Sequence, residues 1–107
     1  MSDDHPPLPT GAPQFLLHQD GDDVAVAVGD LVPGPVRGAS VKERTWYDIV
    51  ISDPVPLGHK FALVDMPAGH EVRKYGLPIG VTTEPIARGA YVHTHNVRSA
   101  RWLTSRA

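Results

Sequence analysis

The sequence predicts an all-β domain of short, bent strands with little helix. Three observations carry that reading. Eleven prolines and ten glycines in 107 residues interrupt the chain too often for long regular elements. The runs between them are rich in Val, Ile, Tyr, Trp and Phe, side chains that fit a pleated surface. No window longer than about ten residues keeps apolar positions at i, i+3, i+4 and i+7 without meeting Pro or Gly, so no long helix is expected.

Taken in order, Met1 to Pro13 holds Pro6, Pro7, Pro9 and Pro13 among Ser, Asp, Thr and Gly. With few backbone donors and almost nothing apolar to bury, this tail is expected to be disordered. The folded domain is expected over 14–107. Phe15-Leu16-Leu17-His18 is a first apolar run, and Gln19 to Asp23 is a dense turn signal. Val24 to Val28 is β-branched at every second position, so a strand would turn Val24, Val26 and Val28 inward. Further strand-forming runs follow at Ser40–Glu43, Trp46–Ile51 and Lys60–Val64. Gly89 to Asn96 alternates and is expected to be the last strand, with Val97 to Leu103 turning once or running along the surface.

One turn design recurs. Asp30-Leu31-Val32-Pro33-Gly34, Asp65-Met66-Pro67-Ala68-Gly69 and Glu84-Pro85-Ile86-Ala87-Arg88-Gly89 each join an acidic residue, an apolar anchor and a closing Gly. Glycine tolerates the positive φ such a turn requires. The spacing is irregular, which excludes a solenoid.

Composition removes several functions. A net charge of −2 and a pI near 6.3, with acidic and basic residues interleaved, leave no basic stripe for nucleic acid. The absence of cysteine excludes disulfides, thiolate metal sites and a Cys nucleophile. No apolar run approaches the roughly 18 residues of a membrane span, and no signal pattern opens the chain; a cytoplasmic domain is expected. At this length there is room for one domain and no large cavity.

Polar chemistry concentrates between Pro56 and Asn96. His93 and His95 are two apart, so on a strand both imidazoles would share one face. Imidazole binds Fe, Mn or Zn and titrates near neutral pH. Such a pair also arises on any half-exposed strand, and by itself the structural reading is the stronger. His59 follows Pro56-Leu57-Gly58 and precedes Lys60; it is either a solvated turn histidine or a ligand-facing one. Lys74-Tyr75-Gly76 reads as a β-turn whose Lys is either solvated or holds an anionic group. His70 beside Glu71 reads as an exposed pair, and His18 as packed or exposed. Trp46 and Trp102 read as core or interface residues.

Together, the phrases Gly21-Asp22-Asp23-Val24-Ala25-Val26-Ala27, Pro56-Leu57-Gly58-His59-Lys60, Ala62-Leu63, Lys74-Tyr75-Gly76, Ile79-Gly80 and His93-Thr94-His95-Asn96 resemble the SAF domain of altronate and galactarate dehydratases. They are also similar to the alpha subunit of sulfolactate sulfo-lyase. The similarity runs from about Gln14 to Trp102 and is weakest between Gly34 and Asp53.

The resemblance implies a β-clip fold and a lyase that removes water from a sugar acid such as altronate or galactarate by α-proton abstraction. It implies His59, His93 and His95 as acid/base residues, and Lys60, Lys74, Tyr75 and Asn96 as contacts to a small anionic sugar acid. It further implies divalent iron or manganese, touched by His93 and His95 or held mainly by a partner. That partner is a large catalytic subunit, because the family's large domain carries most of the machinery; oligomeric association is expected. A sulfo-lyase eliminating sulfite, and a non-catalytic SAF binding module, are the alternatives.

Overall fold

The computed structural model describes residues 12–99. The proline-rich tail up to Gly11, His5, Trp102 and the chain beyond Ser99 lie outside the described residues. Among those described, every regular element is a strand: β1 Phe15–Leu17, β2 Val24–Ala27, β3 Gly34–Ser40, β4 Trp46–Ile51, β5 Lys60–Ala62, β6 Glu71–Lys74, β7 Leu77–Thr82, β8 Tyr91–Val92 and β9 Val97–Ser99. The domain is all-β, as the Pro/Gly punctuation predicts.

The strands form a six-stranded sheet in the order β4-β3-β1-β2-β5-β8 and a three-stranded sheet in the order β6-β7-β9. Within the larger sheet β1 runs parallel to β3, and the other pairings are antiparallel. Two apolar clusters fill the interior. In the first, Phe15 and Phe61 meet edge to face at 5.1 Å between ring centroids, with Leu17, Ile49 and Ile51 around them. The second gathers Val24, Ala62, Met66, Val72, Ile86 and Val92.

The recurring turns hold these layers together, and there are four rather than three. Asp53-Pro54-Val55-Pro56-Leu57-Gly58 is a fourth copy, and the copies work in pairs. Leu31 bridges Val55, and Met66 bridges Ile86. Each bridge closes with two backbone hydrogen bonds: Leu31 and Val55 exchange bonds of 2.9 and 3.0 Å, and Met66 and Ile86 two of 2.8 Å. The acidic residue before one anchor then caps the opposite turn. Asp30 Oδ1 accepts the Leu57 amide at 2.9 Å, and Asp65 Oδ1 accepts the Arg88 amide at 2.8 Å. Leu31 and Val55 belong to the first cluster, Met66 and Ile86 to the second. Each hydrophobic cluster is thus pinned by one bridged pair.

Three expectations are corrected. The run expected as a strand over Ser40–Glu43 is a turn, because β3 ends at Ser40. Val24, Val26 and Val28 do not all face inward. Val24 is buried in the second cluster, Ala25 and Ala27 are buried in the first, and Val28 is 42% exposed. Strand β2 lies between β1 and β5 with apolar clusters on both faces, so alternation does not separate core from solvent. The expected strand from Gly89 to Asn96 ends at Val92. His93 to Asn96 form a turn, because the chain must leave the six-stranded sheet there and enter the other as β9.

Gly58 and Gly89 close two of the turns at φ of 82° and 90°. A Cβ on Gly58 would meet nothing within 4 Å, whereas one on Gly89 would lie 2.4 Å from the Val50 carbonyl oxygen. Gly58→Ala is expected to cost only the left-handed backbone penalty, about 1–2 kcal/mol. Gly89→Ala adds the steric clash and should cost about 2–4 kcal/mol in urea unfolding. Equal losses for the two would refute the close approach at Val50.

Tyr47, on β4, donates a hydrogen bond to the Asp20 carboxylate in the β1–β2 connection. Burial, and then the Asp20 carboxylate, push its phenol up to about 12. The neutral phenol is favoured by folding, so this contribution is complete below pH 10 and is lost as pH rises through about 12. In an ultraviolet titration of the folded chain, one of the three tyrosines should ionise last, and Tyr47→Phe should abolish that step. A last step that survives the substitution would contradict the assignment.

Candidate functional site

Strands β5 and β8 bring the histidines together. Phe61 pairs with Tyr91 and Lys60 with Val92, so His59 and His93 extend the same ladder at its open end. Side chains two apart on a strand share a face, and here that face carries His59, Tyr91 and His93. Centroid separations are 5.0 Å for His59–His93, 5.7 Å for His59–Tyr91 and 5.5 Å for Tyr91–His93. His95 joins from the turn, 5.7 Å from the Tyr91 ring. The result is a partly exposed patch of three imidazoles around one phenol.

Asn96 makes that turn. It is 4% exposed; its Oδ1 accepts the His93 amide at 2.9 Å, and its Nδ2 donates to the Tyr91 carbonyl at 2.8 Å. The Asn96 and Val97 amides both donate to the His93 carbonyl. The side chain expected to contact substrate instead spends its amide on the backbone, setting where His93 and His95 point.

The other candidates lie elsewhere. Lys60 follows His59 directly and therefore projects to the opposite face, the side on which Ala62 enters the second cluster. Lys74 and Tyr75 occupy the tip of the β6–β7 hairpin, with Tyr75 and Gly76 at φ of 59° and 73°. Both positive values match a two-residue type I′ loop, in which a non-glycine residue such as Tyr75 is strained. Lys74 Nζ sits 3.8 Å above the Tyr75 ring, and the His18 ring lies 4.4 Å from it. Asp23 at the start of β2 bonds the Arg73 carbonyl, whereas Ala27 at its end bonds the His59 carbonyl. Four residues of extended chain, about 13 Å, separate these attachment points. The hairpin tip and the histidine patch are two surfaces.

His70 is not an exposed partner of Glu71. Its Nε2 lies 3.1 Å from Asp23 Oδ2, and the Asp23 carboxylate also accepts the Arg73 amide at 2.9 Å. This pair joins the edge of the three-stranded sheet to β2. Trp46 is half-buried on β4.

Sequence reasoning missed Tyr91 and Asp53. Asp53 Oδ2 accepts the Tyr91 amide at 2.9 Å, anchoring the residue at the centre of the patch. The period-two spacing of Tyr91 and His93 was a usable signal for the first. The acidic residue opening the fourth turn was a signal for the second.

Imidazole nitrogens suit iron or manganese, but among the described residues no group of three or more His, Asp or Glu could hold a metal ion. His93 and His95 could supply two ligands, and the described residues alone do not complete a centre. What the patch offers is a set of partly or fully exposed imidazoles, side chains whose ring nitrogens can donate or accept a hydrogen bond.

Asn96→Ala leaves the Tyr91 carbonyl and the His93 amide without partners, which should lower stability by about 2–3 kcal/mol. Urea unfolding measures the loss, and amide exchange at His93 should quicken. An equally stable variant with unchanged exchange would mean the turn does not depend on Asn96.

Comparison with known proteins gives these residues a context. The family model described as the altronate/galactarate dehydratase SAF domain matches residues 13–100. Altronate dehydratase of Escherichia coli is 46% identical over 86 residues, which cover 80% of this chain and 16% of that protein. The (2R)-sulfolactate sulfo-lyase subunit alpha of Chromohalobacter salexigens is 34% identical over 94 residues, covering 82% of this chain and 96% of that subunit. Galactarate dehydratase (L-threo-forming) of Escherichia coli is 34% identical over 78 residues, 73% of this chain and 14% of that protein. The chain therefore spans about a sixth of the dehydratases it matches and nearly all of the sulfo-lyase subunit. It belongs to the SAF-domain family of altronate and galactarate dehydratases.

Proposed function

We propose that this chain is the small, β-clip component of a lyase that removes water from a sugar acid of the altronate or galactarate type. It works with a large dehydratase-type polypeptide that completes the active site. The observation that carries this reading is the partly exposed patch of His59, His93 and His95, in a chain with 46% identity to part of an altronate dehydratase. The reaction takes the proton α to the carboxylate and expels the β-hydroxyl, so it needs a base, a proton source and stabilisation of the developing enediolate. The three imidazoles share the acid/base work.

The hairpin-tip residues Lys74 and Tyr75, and Lys60 on the opposite face of β5, lie apart from the histidine patch and contact the large polypeptide rather than the ligand held at the imidazoles. Asn96 acts through the turn it holds. A divalent iron or manganese ion, were one held at the shared site, would supply stabilisation of negative charge on the substrate. Its ligands come mainly from the large polypeptide, with His93 and His95 the groups of this chain able to join them.

The second reading is the alpha subunit of a sulfolactate sulfo-lyase, which eliminates sulfite instead of water. Its support is the match along 96% of such a subunit. A sulfonate, like a carboxylate, is an anionic acceptor that imidazole N–H groups can engage.

The test is co-expression with a large dehydratase-type chain, followed by assays on altronate, galactarate and sulfolactate. A complex that turns over one of the sugar acids supports the first reading, and one that releases sulfite supports the second. In the active complex, His59→Gln and the His93→Ala/His95→Ala pair should each lower kcat by about 10²-fold or more. Full activity in these variants, or in the large chain alone, would leave this chain a non-catalytic binding module.

A further inference from the structure

We propose that Tyr91 is the positioning residue of the histidine patch: it engages Nδ1 of His59, leaving Nε2 as the nitrogen of that ring that meets substrate. The assignment rests on the lyase reading above for its consequence, but not for its geometry. Tyr91 Oη lies 2.5 Å from His59 Nδ1. Its ring is the shared neighbour of His59, His93 and His95, at 5.7, 5.5 and 5.7 Å between centroids.

Tyr91 is held through both its backbone and its ring. The Tyr91 amide donates to Asp53 Oδ2 at 2.9 Å, its carbonyl accepts from Asn96 Nδ2 at 2.8 Å, and its ring packs on the first apolar cluster. Asp53 lies 38 residues away in sequence and Asn96 lies five, so strand and turn are clamped from two sides. The Tyr91 backbone is therefore fixed on both sides, and its phenol is set against His59 Nδ1.

The chemical consequence follows from the two nitrogens of imidazole. In the neutral ring one nitrogen carries the proton and the other accepts, and the partner of one decides the role of the other. A phenol O–H is a stronger donor than an imidazole N–H, and a bare ring nitrogen a stronger acceptor than a phenol oxygen. In this assignment Tyr91 therefore donates to Nδ1, and neutral His59 carries its proton on Nε2. It then presents a hydrogen-bond donor to a substrate oxygen, either a carboxylate or the departing hydroxyl. The His93 ring stacks on Tyr91 and the His95 ring is tilted against it. Among the described residues neither hydrogen-bonds the phenol, which leaves their nitrogens to accept the α-proton. Tyr91 thereby divides the patch into one donor and two candidate bases.

The decisive experiment is imidazole nitrogen NMR on the ¹⁵N-labelled full chain, at a pH where the histidines are neutral. His59 should show a single tautomer, with Nδ1 unprotonated and Nε2 protonated. Tyr91→Phe keeps the ring and removes the phenol, so His59 should become a tautomer mixture while the ring-stacking shifts of His93 persist. In the reconstituted complex the same variant should lower kcat about three- to tenfold with KM little changed. A wild-type His59 protonated on Nδ1, or a tautomer pattern unchanged in Tyr91→Phe, would overturn the proposal. The wild-type spectrum decides the point even if the variant does not fold. It also does so without any lyase assay, so failure of the functional reading would be seen separately, as inactivity of the complex.

Discussion

Two reciprocal bridges, Leu31 with Val55 and Met66 with Ile86, are the constraint on which the rest of this domain depends. A chain rich in proline and glycine has few long ladders with which to hold its strands. Short turns must therefore be fastened to one another. Each bridge satisfies two backbone donors and two acceptors, and a carboxylate from Asp30 or Asp65 caps the turn on the far side. The anchors then drop into the two apolar clusters. Local geometry and burial act at the same residues, which is why such short strands can persist in a domain of this size.

This fastening also builds the candidate site. The turn that ends at Gly58 delivers His59 to the edge of β5, and the turn that ends at Gly89 delivers Tyr91 to β8. Asp53, the acidic member of the Val55 turn, reaches across to cap Tyr91. Residues that secure the fold are thus the same ones that set the spacing of the imidazoles. A chemical patch supported in this way is carried by strand ends and side-chain-capped turns rather than by free loops, the arrangement that gives a site its precision.

Membership of the dehydratase SAF family and the geometry of the patch bear on different questions. The family speaks to the class of chemistry, because the named relatives are dehydratases and a sulfo-lyase. The geometry speaks to which residues of this chain can act together. It unites His59, His93 and His95 and sets Lys74 and Tyr75 at the other end of β2. Motif order alone would have merged them into one site. It also recasts Asn96 from a substrate contact to the residue that shapes the turn carrying two of the histidines.

Much of this was determined by the sequence alone. The Pro/Gly punctuation and β-branched runs specified an all-β domain, because they act locally through φ restriction and side-chain shape. The acidic-anchor-glycine phrases marked three of the four turns, and His59, His93 and His95 stood out in the sequence before the fold placed them in one patch. Only the tertiary structure decided which turn pairs with which, that Ala25 and Ala27 rather than Val28 face the main core, and that Tyr91 stands among the histidines. It also decided that the chain breaks at His93, where one sheet gives way to the other. The physical reason is common to these cases. Caps such as Asp30 to Leu57 and Asp53 to Tyr91 join residues 27 and 38 positions apart, and contacts at that range leave no period in a sequence; they exist only once both sheets are assembled.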